Sequence, residues 1–414
     1  MEELRYWVWL SQCFAYGSAM PAKLLEVCPS PKTLFEMSEE ELQRFSFLPA
    51  KDRSIMKKTT LSNADFVLNQ CARFKIRIIP MTDPEYPVRL RNIYGPPVVL
   101  YVLGSLAGLD DEPTVAIVGT RSADEYALAA TEFLAGGIAR AGAIIVSGCA
   151  HGIDSAAHEA AIAANRRTIA VLACGLDVDY PTGSGPMKRA ILNGGGALVS
   201  EYPPGTPSAP RVFQVRNRII SGLSLGVLVT QAPVRSGALL TAGHAVDQGR
   251  DLFCLPPNSI FDRQYAGVIR YLRDGAIPVF SPEDVLLPYY AEFPDKIDLA
   301  ALKGDPAYQK IVQTTSERAA VVVPKKAETK KADKKTKITD KTERNKEKTE
   351  KNPETVFDEL HSLVYNQLDT HPQSIDDLTA KCGIDIGTLY SVLTDLELDG
   401  YIEPLGGGRY HRVD

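Results

Sequence analysis

An aromatic ring and two arginines stand close together in the segment FQVRNRIISG, residues 213–222. Arg216 and Arg218 flank Asn217, and Phe213 precedes the first arginine by three positions. A guanidinium group presents a fork of N–H donors that fits a phosphate, and an aromatic ring can stack on a nucleobase. The residue types in this segment therefore predict a site for a ligand that carries both phosphates and flat rings.

The spacing of the two arginines separates their roles if residues 215–221 form a helix. Side chains two positions apart on a helix do not face the same way. One arginine can then meet phosphate, while the other turns inward and pairs with a carboxylate, for which Glu201 is a candidate. Helical facing favours Arg216 for phosphate and Arg218 for the internal pair. The alternative, in which both arginines only anchor the segment to the core, stays open.

Short glycine-containing loops follow several predicted strands and precede predicted helices. Glycine lets a backbone approach a ligand closely, and the N–H groups at the start of a helix favour an anion. Asp154 or Ser155 is expected to cap the helix after the second loop. Several such loops at one edge of a sheet predict a site for phosphate or a polyanion. The loop residues assigned to this site are Gly119, Thr120, Arg121, Gly148, Gly152, Ser236 and Gly237.

The common nucleotide and metal motifs are missing from the sequence. It contains neither a G-x-G-x-x-G fingerprint with a suitably spaced acid nor a Walker A loop. The seven cysteines include no C-x-x-C pair and the histidines lack metal-ligand spacing, so we expect no metal and no cofactor. His158, in AAHEAA, is expected to be a core histidine. Asp177 and Asp179 fit either an acid–base pair or an ordinary turn, and the turn is favoured.

Alternating strand and helix patterns over residues 76–290 position these loops. Near-continuous apolar runs indicate strands buried on both faces, as in a mostly parallel, doubly wound sheet of an α/β fold. Ligands of such sheets bind at the carboxyl ends of the strands. The predicted strands are TVAIVG, AIIVSG, TIAVLA, ALVSEY, LGVLVTQA, DLFCLP and AIPVF.

The two ends of the chain predict further domains. Residues 1–72 have the pattern of short helices, which predicts a small helical domain of the SAM or helix-hairpin-helix type. Residues 354–414 combine amphipathic helices with a glycine-rich hairpin, as in a winged helix. The helix expected within 384–400 carries acids and no lysine or arginine. That charge favours a structural or protein-contact role over DNA recognition, which stays the alternative.

Charge is distributed unevenly along the 414 residues. Residues 291–353 are expected to be a linker, and the stretch 325–351 holds twelve lysines and arginines against six acids. Such a stretch, nearly free of apolar residues, is typical of a disordered segment. The net charge of −5 then leaves about −11 for the remainder, so any anion site there must be a local cluster.

The composition, with 44% hydrophobic and 23% charged residues, is that of an ordinary soluble protein. No apolar run approaches the roughly 20 residues that span a bilayer. The first residues, MEELRYWVWL, do not have the pattern of a signal peptide. We therefore expect a cytoplasmic protein that does not insert into a membrane.

Taken together, these segments resemble the DprA/Smf family of bacterial DNA-processing proteins. The matching segments, in the family's order, are VAIVGTR, IIVSGCAHGIDSAAHEAA, TIAVLACGLDVDYP, LVSEYPPG, FQVRNRIISGLS, SGALLTA and GAIPVF. The resemblance implies an extended Rossmann-like core, preceded by a small helical domain and followed by a winged helix. It also implies binding and protection of single-stranded DNA in natural transformation, loading of the RecA recombinase, and a homodimer formed through the core.

The resemblance also assigns roles to individual residues. Arg121 occupies the place of the arginine in the family's GSR loop, and Phe213 that of the aromatic before its RNR segment. His151 stands where the family usually has an arginine, which would either weaken the site or make it depend on pH, since histidine titrates near neutrality. Gln231 stands in place of a usual glutamate, and Pro257 in place of a usual glycine.

Two other functions fit parts of the sequence. A nucleotide phosphoribohydrolase of the lysine-decarboxylase-like kind also has a GSR-type loop on a Rossmann-like sheet. Its PGGxGT loop with the following catalytic glutamate is not found here, and Gln231 weakens this interpretation further. A scaffold that holds partners through its two end domains is the third hypothesis. We expect a DNA-binding protein that is not an enzyme.

Overall fold

The structure is a computed structural model, and it describes residues 3–304, 308–309, 359–368, 373–384, 388–389, 392–393, 396, 401–405 and 409–412. By its internal contacts the chain divides into two compact units, Met1–Lys326 and Ala327–Asp414. The first unit contains a large mixed sheet covered by helices, and the second contains a small sheet with helices.

Nine strands among the described residues form the sheet of the first unit. They are Arg77–Pro80 (β1), Val99–Gly104 (β2), Thr114–Val118 (β3), Ile144–Ser147 (β4), Thr168–Leu172 (β5), Ala197–Ser200 (β6), Gly226–Val229 (β7), Asp251–Cys254 (β8) and Ile277–Pro278 (β9). Their order is β1-β2-β6-β5-β4-β3-β7-β8-β9. All neighbours from β6 to β9 pair in parallel, while β1 and β2 pair antiparallel at the β6 edge. The predicted mostly parallel, Rossmann-like sheet is confirmed.

Helices connect the strands and cover both faces of the sheet. The helices with described bounds in this unit are Leu4–Gln12 (α1), Met20–Val27 (α2), Pro31–Glu36 (α3), Glu39–Leu42 (α4), Ala50–Lys58 (α5), Leu61–Arg73 (α6), Val88–Arg91 (α7), Glu125–Arg140 (α8), Ile153–Ala163 (α9), Gly185–Asn193 (α10), Pro210–Gly222 (α11), Ala238–Asp247 (α12), Ala266–Arg273 (α13), Pro282–Leu286 (α14) and Ala300–Lys303 (α15). Short 3₁₀ turns lie at Leu109–Asp111, Arg263–Tyr265 and Leu287–Tyr289.

Both faces of the central strands are buried, which explains their near-continuous apolar sequences. Successive residues of a strand point to opposite faces. Val115 and Ile117 of β3 share a hydrophobic core with α8 and α9. Ala116 and Val118 share a second core with α11 and α12 on the other face. A strand with one polar face could not occupy this position.

The amino-terminal helices α1–α6 pack on the sheet and share a core with it. Trp9 and Leu10 of α1 lie in the same cluster as Tyr101 of β2 and Leu172 of β5. Ser38 caps α4 in a capping box, as its sequence predicts. The helical content matches the expectation for this region, and its boundary as a separate domain over 1–72 stays a prediction.

The segment predicted to begin the linker is partly structured. Phe293, Ile297 and Leu302 are buried in the core cluster that includes α8 and α9. The expected linker over 291–353 is therefore wrong for residues 291–304, because their apolar side chains cover the end of α8. The basic stretch 325–351 lies outside the described residues.

The second unit has the helix and hairpin elements expected of a winged helix. The described elements are the helices Glu359–Gln367 (α16) and Ile375–Cys382 (α17), with the strands Gln373–Ser374 (β10), Ile402–Leu405 (β11) and Arg409–Arg412 (β12). The Ser374 side chain caps α17, and Gly383 ends it in a left-handed conformation, with φ of 65°. Most of the acidic helix predicted within 384–400 lies outside the described residues.

Candidate functional site

The carboxyl ends of the parallel strands meet the amino-terminal half of α11 at one edge of the sheet. The loop after β3 contains Arg121, and the loop after β5 leads to Tyr180. Phe213 extends from α11 between them. Loops that follow neighbouring parallel strands lie side by side, so residues far apart in sequence come together here.

A ring and a cation are stacked at this edge. The guanidinium carbon of Arg121 lies 4.8 Å from the centre of the Phe213 ring. The Tyr180 ring lies 5.3 Å from the Phe213 ring, and its hydroxyl accepts a hydrogen bond from Arg121 at 3.5 Å. A cation above a ring face is attracted by the ring's quadrupole. The arrangement holds a flat ring and a fork of phosphate donors next to each other.

These residues border an open groove of about 780 Å³, which we call the Arg121 groove. Arg235 and Arg270 also line it and are exposed, so the wall carries several cations. Arg270 has an acidic neighbour, Asp274, at 3.7 Å. The full lining is Arg121, Tyr180, Ser208, Ala209, Pro210, Phe213, Gln214, Val234, Arg235, Ser236, Gly237, Leu239, Leu240, Gly267, Arg270, Tyr271 and Asp274.

A smaller cavity of about 310 Å³ adjoins this groove, and we call it the inner pocket. Arg121, Phe213, Ser236 and Gly237 line both spaces. The lining of the inner pocket brings together most of the residues predicted from the sequence. They are Gly119, Thr120, Arg121, Phe213, Arg216, Asn217, Ser236 and Gly237.

Arg216 forms the floor of the inner pocket rather than its rim. It is only 4% exposed, and its Nη1 donates to the carbonyl oxygens of Gly148, at 2.8 Å, and Val171. Burial lowers the pKa of Arg216, and the buried Asp154 opposes this shift. These carbonyl groups and the Asn217 side chain hold Arg216 in place through its Nη1 and Nε, and its predicted contact with phosphate stays a prediction.

Arg218 turns to the other side of α11 and pairs with Glu201. Its Nη2 donates to Glu201 Oε1 at 2.7 Å, and its Nε donates to the Gly95 carbonyl at 3.1 Å. It is 5% exposed and lines neither the Arg121 groove nor the inner pocket. The predicted pair of Arg218 with Glu201 is present, and a contact of Arg218 with the ligand stays untested.

The loop after β4 packs against the loop that contains Arg121 and against the Arg216 side chain. A side chain at Gly148 would meet the Arg216 guanidinium and the Asp154 carboxylate at 2.6 Å. At Gly152, with φ of 77°, it would meet the Thr120 carbonyl oxygen at 2.4 Å. These glycines therefore let the loops after β3 and β4 pack closely against each other and against the buried Arg216 and Asp154 side chains.

One expectation for this loop stays a prediction and another needs correction. His151 is exposed at the turn and lines neither the Arg121 groove nor the inner pocket, and its role toward the ligand stays a prediction. Neither Asp154 nor Ser155 caps α9, whose N-cap position is Gly152. Instead Asp154 accepts from the Ala150 N–H at 3.3 Å, and Ser155 donates to the Ala150 carbonyl at 2.7 Å. Both side chains fix the loop rather than the helix end.

The start of α12 completes the rim of the inner pocket. Asn217 donates to the Gly237 carbonyl at 3.1 Å, which ties α11 to this turn. Ser236 accepts from the Ala238 N–H at 3.3 Å. No described atom lies within 4 Å of where a Gly237 side chain would begin, so this turn is open to the groove.

Gln231, which stands in place of the family's usual glutamate, has a structural role. It is fully buried, its Nε2 donates to Asp124, and its Oε1 accepts from the Asp124 N–H at 3.1 Å. Asp124 in turn caps α8. Position 231 therefore offers no catalytic carboxylate, which counts against the hydrolase hypothesis.

The loop after β3 needs glycine at position 119, because a side chain there would meet Ile153 at 2.4 Å.

The other polar residues singled out in the sequence also hold the fold. Both carboxylate oxygens of Asp177 accept from the Gly205 N–H, at 2.8 and 3.0 Å, as expected of a turn residue. His158 is fully buried, and its Nδ1 lies 2.8 Å from Thr168 Oγ1. Burial lowers the pKa of His158 to about 3, so the ring is neutral near pH 7. It is the predicted core histidine.

Several groove residues were not identified from the sequence. Tyr180, Arg235 and Arg270 lie in three different connections and meet only through the fold. A tyrosine directly after the strand-end segment GLDVD was the one available signal for Tyr180.

In the part of the chain that the structure describes, no helix has the length and apolar character needed to cross a membrane.

Comparison with known proteins supports the sequence resemblance over both units. The family model described as DNA recombination-mediator protein A matches residues 77–289. The model described as the DprA winged helix domain matches residues 346–408.

Individual relatives extend this similarity. The DNA processing protein DprA of Bacillus subtilis is 39% identical over 221 residues, which cover 53% of this chain and 72% of that protein. Protein Smf of Synechocystis is 34% identical over 336 residues, 80% of this chain and 78% of that protein. The X-ray structure of DprA from Streptococcus pneumoniae superposes with a TM-score of 0.59 and 33% identity, covering 67% of this chain and 95% of that one.

Proposed function

This chain belongs to the DprA/Smf family of DNA recombination mediators, and from that premise we propose that its Arg121 groove binds single-stranded DNA in natural transformation. The observation that carries the proposal is the contact of the Phe213 ring with the Arg121 guanidinium and the tilted Tyr180 ring at the strand ends. A ring that receives an unpaired base next to cations that receive phosphates is the common arrangement in single-strand binders.

The geometry also favours a single strand over a duplex. In a duplex the base faces are stacked on one another, so a ring inside a groove cannot reach them without unpairing. Stacking accepts any base, and we therefore expect little sequence preference. The cations on the wall, which include Arg121, Arg235 and Arg270, bind phosphates, which are the same in every DNA sequence.

The test separates the ring from the cation by its dependence on salt. Phe213→Ala removes a stacking surface but no charge, so affinity for an oligothymidylate should fall by about 1–3 kcal/mol with an unchanged salt slope. Arg121→Ala removes one phosphate partner, so affinity should fall and the slope should decrease by about 0.7. Binding is measured by fluorescence anisotropy at several salt concentrations.

An exposed arginine outside the groove provides the matched control. Arg44→Ala removes the same charge from the amino-terminal helices and should leave both affinity and slope nearly unchanged. If Phe213→Ala and Arg121→Ala bind like the parent protein, or if duplex DNA binds more tightly than the single strand, the proposed site is wrong.

We further propose that the protein is not an enzyme and acts in the cytoplasm, where it protects incoming DNA and loads RecA onto it. These roles rest on the family resemblance, and the buried Gln231 supports the absence of catalysis. The rate of RecA filament assembly on a strand bound by this protein tests the loading role. An unchanged or slower rate would argue against it.

A homodimer through the Rossmann-like core is also a proposal. β9 is an edge strand of the sheet in the described part of the chain, and Ile277 within it and Phe280 after it are exposed, Phe280 by 63%. Exposed apolar side chains at a sheet edge favour pairing with another copy. Light scattering should give twice the chain mass of 45.2 kDa, and a single-chain mass at micromolar concentration would contradict it.

A further inference from the structure

A second groove lies on the opposite side of α11 from the inner pocket. It has a volume of about 750 Å³, and we call it the Tyr94 groove. Residues from the loop between α1 and α2, from the loop before β2, and from α11, α12 and the turn after α12 line it. The residues that matter for its chemistry are Tyr16, Asn92, Tyr94, Gln214, His244 and Gln248.

The Tyr94 groove is continuous with the Arg121 groove. Gln214 and Leu240 line both of them, one from α11 and one from α12. Gln214 follows Phe213 directly in the chain, so the wall that carries the stacking ring continues into the second groove. The two shared residues therefore make the grooves neighbours along α11 and α12.

The charges of the Tyr94 groove do not suit phosphate. Arg218 is its one arginine among the described lining residues, and Glu201 already neutralises it at 2.7 Å. Burial, followed by the nearby Arg218, lowers the pKa of His244, so its ring is neutral at neutral pH. Asp247 on the same wall is an exposed acid. A phosphate would find repulsion here and no unpaired cation.

The same residues suit nucleobases. Tyr94 is 80% exposed, so its ring is free to stack on a flat ligand. The amides of Asn92 and Gln214 and a neutral histidine can donate to and accept from base edges, while Gln248 already donates to the Arg218 carbonyl at 3.0 Å. Tyr16 provides a second ring, held edge-on against Tyr202 with 4.6 Å between the ring centres.

We propose that the Tyr94 groove binds unstacked bases of the same DNA strand whose neighbouring nucleotides occupy the Arg121 groove. The inference rests on the proposed function of that groove. The strand would place its phosphates over the Arg121 groove and turn its bases toward Tyr94 beyond Gln214. The binding site is therefore longer than the cation cluster alone indicates.

Strand length separates the two grooves in an experiment. Affinity is measured for a short oligothymidylate of about 4 nucleotides and a long one of about 16, the range of single-strand site sizes. Tyr94→Ala should weaken binding of the long strand by about fivefold to a hundredfold, the effect of losing one stacked base, and leave the short strand unchanged. Tyr94→Phe keeps the ring and should bind like the parent protein.

A matched tyrosine and the first groove supply the controls. Tyr290→Ala removes an exposed tyrosine that lines neither groove and should change nothing. Phe213→Ala should weaken both strands. If Phe213→Ala acts and Tyr94→Ala does not, the present inference is overturned and the proposed function stands. If neither acts on either strand, both are overturned.

Photocrosslinking gives an independent result. A 5-iodouracil base is placed at successive positions of the long strand, and crosslinked tyrosines are identified by mass spectrometry. Crosslinks to Tyr94 or Tyr16 should come from positions several nucleotides away from those that crosslink to Tyr180. The absence of crosslinks to Tyr94 and Tyr16, while Tyr180 is labelled, would contradict the proposal.

Discussion

Arg216 and Arg218 lie two positions apart on α11, and the helix directs them to different surroundings. Arg216 donates to the carbonyl groups at the ends of β4 and β5, near the buried Asp154. Arg218 donates to Glu201 on the far side of the helix. The helical period predicts this separation from the sequence, and it predicts Glu201 as a partner. It cannot predict that Arg216 is also buried, because its acceptors are backbone groups from distant strands.

The buried pair of Arg218 and Glu201 should be visible in stability. Arg218→Met leaves a buried carboxylate without its cation and should lower the free energy of unfolding by about 3–5 kcal/mol. Replacing both residues, as Arg218→Met with Glu201→Leu, removes both charges and should recover much of that loss. Thermal and urea unfolding of the parent, both single variants and the double variant measure this.

DNA binding distinguishes this role from a direct one. Below its unfolding temperature, Arg218→Met should keep the salt slope of the parent protein, because Arg218 is not on the wall of the Arg121 groove. A slope reduced as strongly as that of Arg121→Ala would show that Arg218 contacts phosphate. A double variant no more stable than the single ones would show that the charge pair is not the cause of the loss.

At the scale of elements, the parallel strands were predictable and the two antiparallel strands at one edge of the sheet were not. The runs TVAIVG and TIAVLA form β3 and β5, because strands buried on both faces must be apolar throughout. β1 and β2 were not among the predicted strands. They pair antiparallel at the sheet edge, and the sequence RIIP is too short to show a period. Their pairing depends on β6, which is distant in sequence.

The loops at the strand ends need glycine for different reasons, and two of them form a test. Gly152 has φ of 77°, and a side chain there would meet the Thr120 carbonyl oxygen. Gly237 has φ of −61°, and no described atom lies within 4 Å of where its side chain would begin. Gly152→Ala should lower the free energy of unfolding by about 1–3 kcal/mol, the usual cost of such a backbone conformation. It should also weaken DNA binding, because it displaces the loop that holds Arg121.

Gly237→Ala is the matched control for that substitution. Its backbone conformation suits alanine, so stability should be unchanged or higher by about 0.4–1 kcal/mol. Melting temperature and oligothymidylate affinity are measured for both variants. A Gly152→Ala protein as stable as the Gly237→Ala protein would mean that the loop after β4 relaxes freely and does not position Arg121.

At the scale of the whole molecule, the composition predicted that the anion site is not a broad basic surface. The sequence outside 325–351 carries a net negative charge, so binding had to rest on a local cluster. The Arg121 groove is such a cluster, built from loops between residues 119 and 274 of the first unit. Its members Tyr180 and Arg270 could not be chosen from composition or period, since only the folded sheet brings their loops to one edge.

That location predicts the behaviour of a protein truncated at Pro324. It retains every lining residue of both grooves and lacks the basic stretch 325–351 and the winged helix. At physiological salt its affinity for single-stranded DNA should stay within about threefold of the full chain, because screening weakens contacts with a diffuse basic stretch. At low salt the full chain should bind more tightly and show the steeper salt slope, since the lysines of 325–351 then release further counterions. Phe213→Ala in the truncated protein should still weaken binding, which ties the remaining affinity to the groove. A truncated protein that binds no DNA at physiological salt would place the site in the second unit or the segment before it.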